Sequence, residues 1–309
     1  MRLLAAAATA TLLFTGASSA PSPPRIATCP VFPANNPWNE PVNKLPVAKN
    51  SATLITSIGL DTGVHPDFGS GLYDGSEIGI PYVVVHGSST PKAKVTFDYA
   101  DESDKGPYPI PANVPIEGAP QHANEGDRHA LIVDEDSCTL YELFALRRTS
   151  SGWHAGAGAI FNLRSNKLRP AGWTSADAAG LPIFPGLARW DQDASTGVIR
   201  HALRFTAEET RKAFIYPARH YASDETDPSL PPMGLRVRLK AGVDISKLPP
   251  QARMVAQAMK TYGMILADNG SSWYVSGAPS PHWSNDQLHA LGVLKGSDFE
   301  VVDTSKLRP

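Results

Sequence analysis

Apolar and polar residues alternate along several stretches in the middle of the chain, as they do in strands with one buried face. Residues 94–99 alternate strictly, and residues 80–85 form a short, mostly apolar run. The runs 129–134 and 138–146 meet around a polar turn and predict a hairpin, and 157–166, 197–206 and 272–277 predict further strands. Strands therefore dominate the middle of the chain.

Helical signals are fewer and short. Capping boxes or first-turn prolines mark four possible starts: Thr174 with Asp177, Thr206 with Glu209, Pro249–Pro250, and Ser284 with Gln287. The helix after Pro250, over 251–267, is the strongest of these predictions. The pattern as a whole predicts a mainly β protein: a single β-sandwich or jelly-roll-like domain over 47–309, with a few peripheral helices toward the C-terminus.

Two proline-rich stretches interrupt this pattern. Residues 21–46 have neither helical nor strand periodicity and predict an extended Pro/Asn-rich arm that lies on the domain. Residues 100–127 form a long polar loop with five prolines, and loops of this length are commonly functional. We therefore expect the loop to form the rim of a cleft.

The first twenty residues have the composition of a secretory signal peptide. Met1–Arg2 precede an apolar run and a small-residue cleavage site that ends at Ala20. The run is shorter than the roughly 20 residues that a membrane span needs. We expect the signal to be removed near Ala20 and the mature chain to be secreted, either extracellular or periplasmic, without membrane insertion.

The charge balance and the absence of strong motifs narrow the function further. The 28 basic and 30 acidic residues give a net charge of -2, which provides no attraction to nucleic acid. The sequence contains no HExxH, no GxSxG and no P-loop or dinucleotide fingerprint. We predict a monomer without a cofactor or resident metal; a metal held by the distant His129, His201 and His220 is the alternative.

Cys29 and Cys138 are the two cysteines of the chain. An even count in an exported protein favours a disulfide. We therefore predict a Cys29–Cys138 bond that attaches the N-terminal arm to the core.

The predicted hairpin places an imidazole beside a carboxylate. With a four-residue turn at 134–137, Leu131 faces Leu140 and His129 faces Glu142 on one otherwise apolar face, with Asp127 on the same side. Burial raises the pKa of a carboxyl in such a place, and a carboxylate raises that of a histidine. The pair is either a catalytic constellation or an ion pair that closes the end of the sheet.

The segment 172–192 combines aromatic and acidic side chains around an apolar middle. Trp190 and Asp191 stand near a predicted strand end, where a flat ring and a carboxylate could bind a sugar, and Trp173 is a second aromatic candidate. Asp177 is a second carboxylate, although a helix cap explains it equally. His201 follows on an apolar strand face, where a buried structural histidine is the alternative to a catalyst.

Several motifs resemble a family of exported bacterial proteins to which no activity is assigned. The motifs extend over nearly the whole mature chain and include NPWN, HPDFG, GPYPIP, GDRHALIVD, LRPAGWTSADAAGLPIFPGLARWD, PARHYAS and KTYGMILADNGSSWYVSGAP. The resemblance implies export and one contiguous domain. It assigns no catalytic residue.

Two classes of function follow. The first is a secreted polysaccharide-active enzyme, most simply a glycoside hydrolase with paired carboxylates, in which Glu142 is the acid and Asp177 or Asp191 the second group. A polysaccharide lyase that uses a His and a Tyr against a uronic acid, which the arginines near His129 and His220 would suit, is a further alternative, as is a metal-dependent hydrolase. The second class is a non-catalytic carbohydrate-binding or cell-surface protein that uses the same aromatic residues.

Overall fold

The computed structural model describes residues 22–122, 125–191 and 194–307, so the predicted signal segment 1–20 lies outside the described residues. Strands make up 27% and helices 13% of the chain, which confirms the mainly β prediction. The proposed domain boundary after residue 46 stays a prediction.

The described strands, in chain order, are β1 Arg25–Ile26, β2 Cys29–Pro30, β3 His65–Asp67, β4 Leu72–Tyr73, β5 Ser76–Glu77, β6 Tyr82–Val85, β7 Lys92–Ala93, β8 Val95–Phe97, β9 Tyr108–Pro109, β10 Ala130–Asp134, β11 Thr139–Phe144, β12 Arg147–Thr149, β13 Gly152–Ala155, β14 Ala157–Asn162, β15 Leu203–Ala207, β16 Arg236–Leu239, β17 Met264–Asn269, β18 Tyr274–Ser276 and β19 Phe299–Val301. The described α-helices are α1 Ser51–Ile58, α2 Pro250–Thr261 and α3 Asn285–His289. Short 3-10 turns cover Phe184–Gly186, Ala194–Thr196, Ala290–Val293 and Gly296–Asp298.

Two sheets form the centre of the molecule. One has six strands in the order β19-β16-β17-β15-β18-β3, and the other has four in the order β14-β11-β10-β6. Both sheets are mixed, because β15 pairs with β17 and β10 with β6 in parallel while their other neighbours are antiparallel. A smaller sheet, β12-β13-β8, lies beside the four-stranded one.

The two main sheets share one apolar core, as in a sandwich. Leu131 and Leu140 of the four-stranded sheet and Leu203 and Phe205 of the six-stranded sheet belong to the same buried cluster. The segment 176–188 contributes seven further buried side chains to it. Complete burial of each large aliphatic or aromatic side chain stabilises the fold by about 1.5–3 kcal/mol, so this segment is a structural layer as well as a connection.

The two strongest helix predictions are confirmed with shorter bounds. Helix α2 begins at Pro250, which needs no backbone donor at this position, and it ends at Thr261. Gly263 then turns the chain at a φ of +69°, and the predicted helical tail is strand β17 instead. Helix α3 begins after Ser284, whose side chain accepts a hydrogen bond from the Gln287 backbone amide.

The helices predicted after Thr174 and Thr206 were wrong. No helix follows Thr174, because residues 174–180 form bends and turns in which Asp177 pairs with an arginine. Thr206 lies inside β15, where its hydroxyl donates to the Ser271 carbonyl. In each box one of the two side chains, Asp177 or Thr206, instead bonds to a residue that is distant in sequence.

The predicted disulfide is confirmed. Cys29 and Cys138 are bonded, with their Cα atoms 5.4 Å apart. The arm over 22–46 carries the short pair β1 and β2 and buries Trp38 in the main core. The bond and the tryptophan together fix the arm to the two sheets. Among the described residues, no helix combines the length and the hydropathy that a bilayer crossing requires.

Candidate functional site

An acidic cavity of about 420 Å³ opens between the loop 100–127, the segment 172–180 and the end of β17. Its size falls within the range of small-ligand pockets. The described side chains that line it include four carboxylic acids, a histidine and two aromatic rings: Glu102, Asp127, Asp177, Asp268, His220, Tyr99 and Phe144.

A buried ion pair forms the floor of the acidic cavity. Arg204 on β15 donates from Nε to Asp177 Oδ2 at 3.1 Å and from Nη2 to Asp177 Oδ1 at 2.8 Å. Its third nitrogen donates to Ser276 Oγ at 2.5 Å. Both side chains are almost completely buried, and the two-point contact places a carboxyl group directly against the Arg204 charge inside the fold.

Asp268, near the end of β17, is the carboxylic acid of the cavity whose pKa is raised. Burial and the neighbouring charge of Asp177, to which it is hydrogen-bonded, raise its pKa to about 8. Arg204 Nη2 lies 3.6 Å from Asp268 Oδ2 and opposes this effect. The side chain is about a quarter exposed. Asp268 therefore holds a proton at neutral pH while remaining accessible from the cavity.

Glu102 and His220 stand together on the wall of the acidic cavity. Glu102 Oε2 accepts a hydrogen bond from the Thr174 backbone amide at 2.8 Å and lies 4.0 Å from His220 Nε2. His220 Nδ1 donates to the Ala178 carbonyl at 2.9 Å. The other ring nitrogen, Nε2, therefore faces the Glu102 carboxylate.

Asp127 and the two aromatic rings complete the lining. Asp127 is exposed at the rim, and no hydrogen bond or ion pair of its carboxylate is found among the described residues. Phe144 and the 55% exposed Tyr99 provide apolar surface. The acidic cavity thus combines several carboxyl groups, one of which has a raised pKa, with an imidazole and aromatic faces.

His129 supports the acidic cavity from behind. Its Nδ1 lies 2.6 Å from Glu117 Oε2 and its Nε2 lies 3.0 Å from the Ala176 carbonyl, so both ring nitrogens donate and the ring is an imidazolium. Burial lowers the pKa of His129, but the charge and the hydrogen bond of Glu117 and the charge of Asp127 together more than offset this and raise it to about 9. The bond to Ala176 fixes the backbone beside Asp177.

The predicted pairing of His129 with Glu142 was wrong by two residues, although their shared sheet face is confirmed. Leu131 pairs with Glu142 and Asp134 with Thr139, so the turn is 135–138. A shift of two residues preserves the side-chain face. Glu142 is completely buried, and its carboxylate accepts hydrogen bonds from the amides of Ile183 and Phe184. Burial raises its pKa to about 7.

The segment 172–192 contributes to two separate places. Residues 174–178 line the acidic cavity, whereas Trp190 lines another cavity of about 360 Å³ with Tyr82. The Trp190 ring stacks on His282 and meets Trp283 edge-on. Trp173 is partly buried under the Arg169 guanidinium.

Asp191 and His201 lie outside the acidic cavity. The Asp191 side chain is 7% exposed and pairs with the buried Arg189. His201 is buried, and burial together with the Arg189 charge lowers its pKa to about 3, so the ring is neutral. The structure therefore brings together Asp127, Asp177 and His220 of the predicted residues, with His129 behind them.

Sequence reasoning missed Glu102, Glu117, Arg204 and Asp268. Glu102 and Glu117 lie in the loop that was predicted to form a cleft rim, but nothing in the loop singles them out. Alternation along residues 197–206 puts Arg204 on the strand face opposite to the apolar one, which gives no reason to select it. Asp268 follows an apolar run, which is the position of a strand-end acid, and this is a signal that could have been used.

The described residues contain no group of three or more His, Cys, Asp or Glu side chains arranged to hold a metal ion. Comparisons of the chain with protein-family models, with curated proteins and with solved structures give no match.

Proposed function

We propose that this protein is a secreted polysaccharide-active hydrolase, specifically a glycoside hydrolase, and that the acidic cavity is its active site. The observation that carries the proposal is the protonated Asp268, which is accessible from a cavity that also contains the hydrogen-bonded carboxylate of Glu102. The Cys29–Cys138 bond and the composition of residues 1–20 support export.

In this proposal Asp268 is the general acid. It donates its proton to the glycosidic oxygen as the bond to the sugar carbon breaks, and Arg204, 3.6 Å away, stabilises the carboxylate that forms. Asp177 does not react, because both its oxygens are held by Arg204. It acts as a positioning residue that keeps Asp268 protonated beforehand.

Glu102 is the second carboxylate of the proposed mechanism. Asp177 and Asp268 touch through a hydrogen bond, whereas the two reacting carboxyl groups of a glycosidase are separated by about 5–9.5 Å to admit the sugar. The partner of Asp268 must therefore come from another wall. Glu102 then acts either as the base that deprotonates water or as the nucleophile.

Release of reducing ends from a panel of polysaccharides tests the proposal. We expect Asp268→Asn and Glu102→Gln each to lower kcat by about 10²–10⁴-fold, which is the contribution of a general acid or base. The matched control is Asp244→Asn, which removes the same charge from an exposed position that does not line the acidic cavity. A folded Asp268→Asn variant with unchanged kcat would overturn the assignment.

A second candidate function is non-catalytic carbohydrate binding. The partly exposed Trp190 favours this candidate, because its ring lines a second cavity that is separate from the acidic cavity. Pull-down on insoluble polysaccharides, with binding lost in Trp190→Ala and no reducing ends released, would support this candidate instead.

A further inference from the structure

The charged side chains that line the acidic cavity are mainly acidic. Its described lining contains four carboxylic acids and no lysine or arginine. The nearby cations Arg204, His129 and Arg169 are buried outside the lining, and each is paired with an acid. A bound sugar therefore meets negative charge that no accessible cation compensates.

The exposed charge of the lining belongs to carboxyl groups. The Asp127 carboxylate is exposed and has no hydrogen-bond or ion-pair partner among the described residues. Glu102, on the wall, accepts from the Thr174 backbone amide and has further acceptor sites. An ammonium group is a cation with three donors, so it matches these two groups, whereas a carboxylate or sulfate group would carry charge of the same sign as theirs.

We propose that the substrate is a polymer of an amino sugar with free amino groups, whose ammonium is bound by the exposed carboxylate of Asp127. This inference rests on the proposed hydrolase function. It also separates that function from a lyase that acts on uronic acids, since such a lyase needs a cation beside the substrate carboxylate and the described lining offers none.

The test compares four soluble oligosaccharides of equal length: deacetylated glucosamine, N-acetylglucosamine, β-glucan and oligogalacturonate. We expect kcat/KM for the deacetylated oligomer to exceed that for the two neutral oligomers at least tenfold, with no cleavage of the galacturonate. Raising the salt concentration from about 0.05 to 0.5 M should raise KM for the deacetylated oligomer alone, because salt screens exposed charges.

Substitution of Asp127 locates the preference. Asp127→Asn should raise KM for the deacetylated oligomer at least fivefold and should raise KM for the two neutral oligomers by a smaller factor, so the ratio of kcat/KM between them should fall. Asp244→Asn is the control for the loss of one negative charge.

The outcomes separate this inference from the hydrolase proposal. Equal or faster cleavage of a neutral oligomer would overturn the amino-sugar assignment and retain the hydrolase. Cleavage of none would overturn the hydrolase, and titration calorimetry of the same four oligomers would then decide the inference. Preferential binding of the deacetylated oligomer, weakened in Asp127→Asn, would support it, and its absence would overturn it.

Discussion

At the residue scale, the site is a set of buried charges that neutralise one another. His129 is compensated by Glu117, and Arg204 by Asp177. A fifth charge, on Asp268, would have no partner of its own. Since an uncompensated buried charge is costly, Asp268 keeps its proton. Its acidity is thus set by how many cations the fold has placed nearby.

This reasoning predicts the effect of Asp177→Asn on pH dependence. The substitution removes the negative charge that helps raise the pKa of Asp268, and it leaves Arg204 facing Asp268 alone. The pKa of Asp268 should fall, so the alkaline limb of kcat/KM should move from about pH 8 to lower pH. Kinetics on a cleaved substrate between pH 5 and 9 would measure the shift.

The same variant breaks a buried pair, which costs about 3–5 kcal/mol when one partner is removed. Circular dichroism at each pH is therefore the control for folding. An alkaline limb that stays in place or moves upward in a folded variant would contradict the role given to Asp177.

At the element scale, the hairpin of β10 and β11 and the segment 172–192 hold each other in place. The Glu142 carboxylate of β11 accepts from the amides of Ile183 and Phe184, and His129, just before β10, donates to the Ala176 carbonyl. These contacts satisfy backbone groups of a buried, irregular segment. Asp177 reaches the acidic cavity because the backbone on either side of it is anchored.

The N-terminal arm gives a prediction at this scale. The Cys29–Cys138 bond spans 109 residues of sequence, for which the chain-entropy argument gives a stabilisation of roughly 4–5 kcal/mol. A Cys29→Ser, Cys138→Ser double variant should lose about this much free energy of unfolding. Urea unfolding, followed by far-UV circular dichroism, would measure the loss.

Hydrogen exchange adds a local readout for the arm. The Ala202 amide, which donates to the Trp38 carbonyl, should exchange faster in the double variant than in the wild type because the arm can open. Equal unfolding midpoints of the two proteins would show that the core alone holds the arm.

At the scale of the whole molecule, three groups bind protons more tightly in the folded chain than in the unfolded one: two are buried and the third, Asp268, is partly buried. The pKa is raised to about 7 for Glu142 and about 8 for Asp268 by burial first, and to about 9 for His129 by Glu117 against burial. Each contribution is complete below the unfolded pKa and is lost as pH rises through the folded one. His201, whose pKa is lowered to about 3, has the opposite effect, but only below about pH 6.5.

The free energy of unfolding should therefore fall most steeply between about pH 6.5 and 8. In this interval the ionisation of His201 no longer opposes the loss of stability. Release of one proton each from Asp268 and His129 on unfolding then lowers the free energy of unfolding by about 3 kcal/mol per pH unit. Urea unfolding at pH 6.5, 7 and 8 would measure it. His129→Gln should roughly halve the slope, and a variant with the wild-type slope would contradict the assignment of His129 as a buried cation.

The sequence by itself determined the parts of the fold that local spacing encodes. The pattern of apolar positions predicted the hairpin and the four strands of the β14-β11-β10-β6 sheet, but only β15 and β18 of the six-stranded sheet. First-turn proline and serine signals located α2 and α3, and the even number of cysteines predicted the Cys29–Cys138 bond. These features depend on neighbours within a few residues, or on a pairing with one possible solution. For this reason they could be read without the fold.

Only the tertiary structure decided where the candidate chemistry lies. Glu102, Asp177, Arg204 and Asp268 are dozens of residues apart in sequence and meet because a loop, an irregular segment and two neighbouring strands converge. Glu142 and His201 were equally good catalytic candidates in the sequence, but both side chains are buried in the core. Burial and the number of nearby charges set the protonation of a carboxyl group, and both are properties of the folded molecule alone.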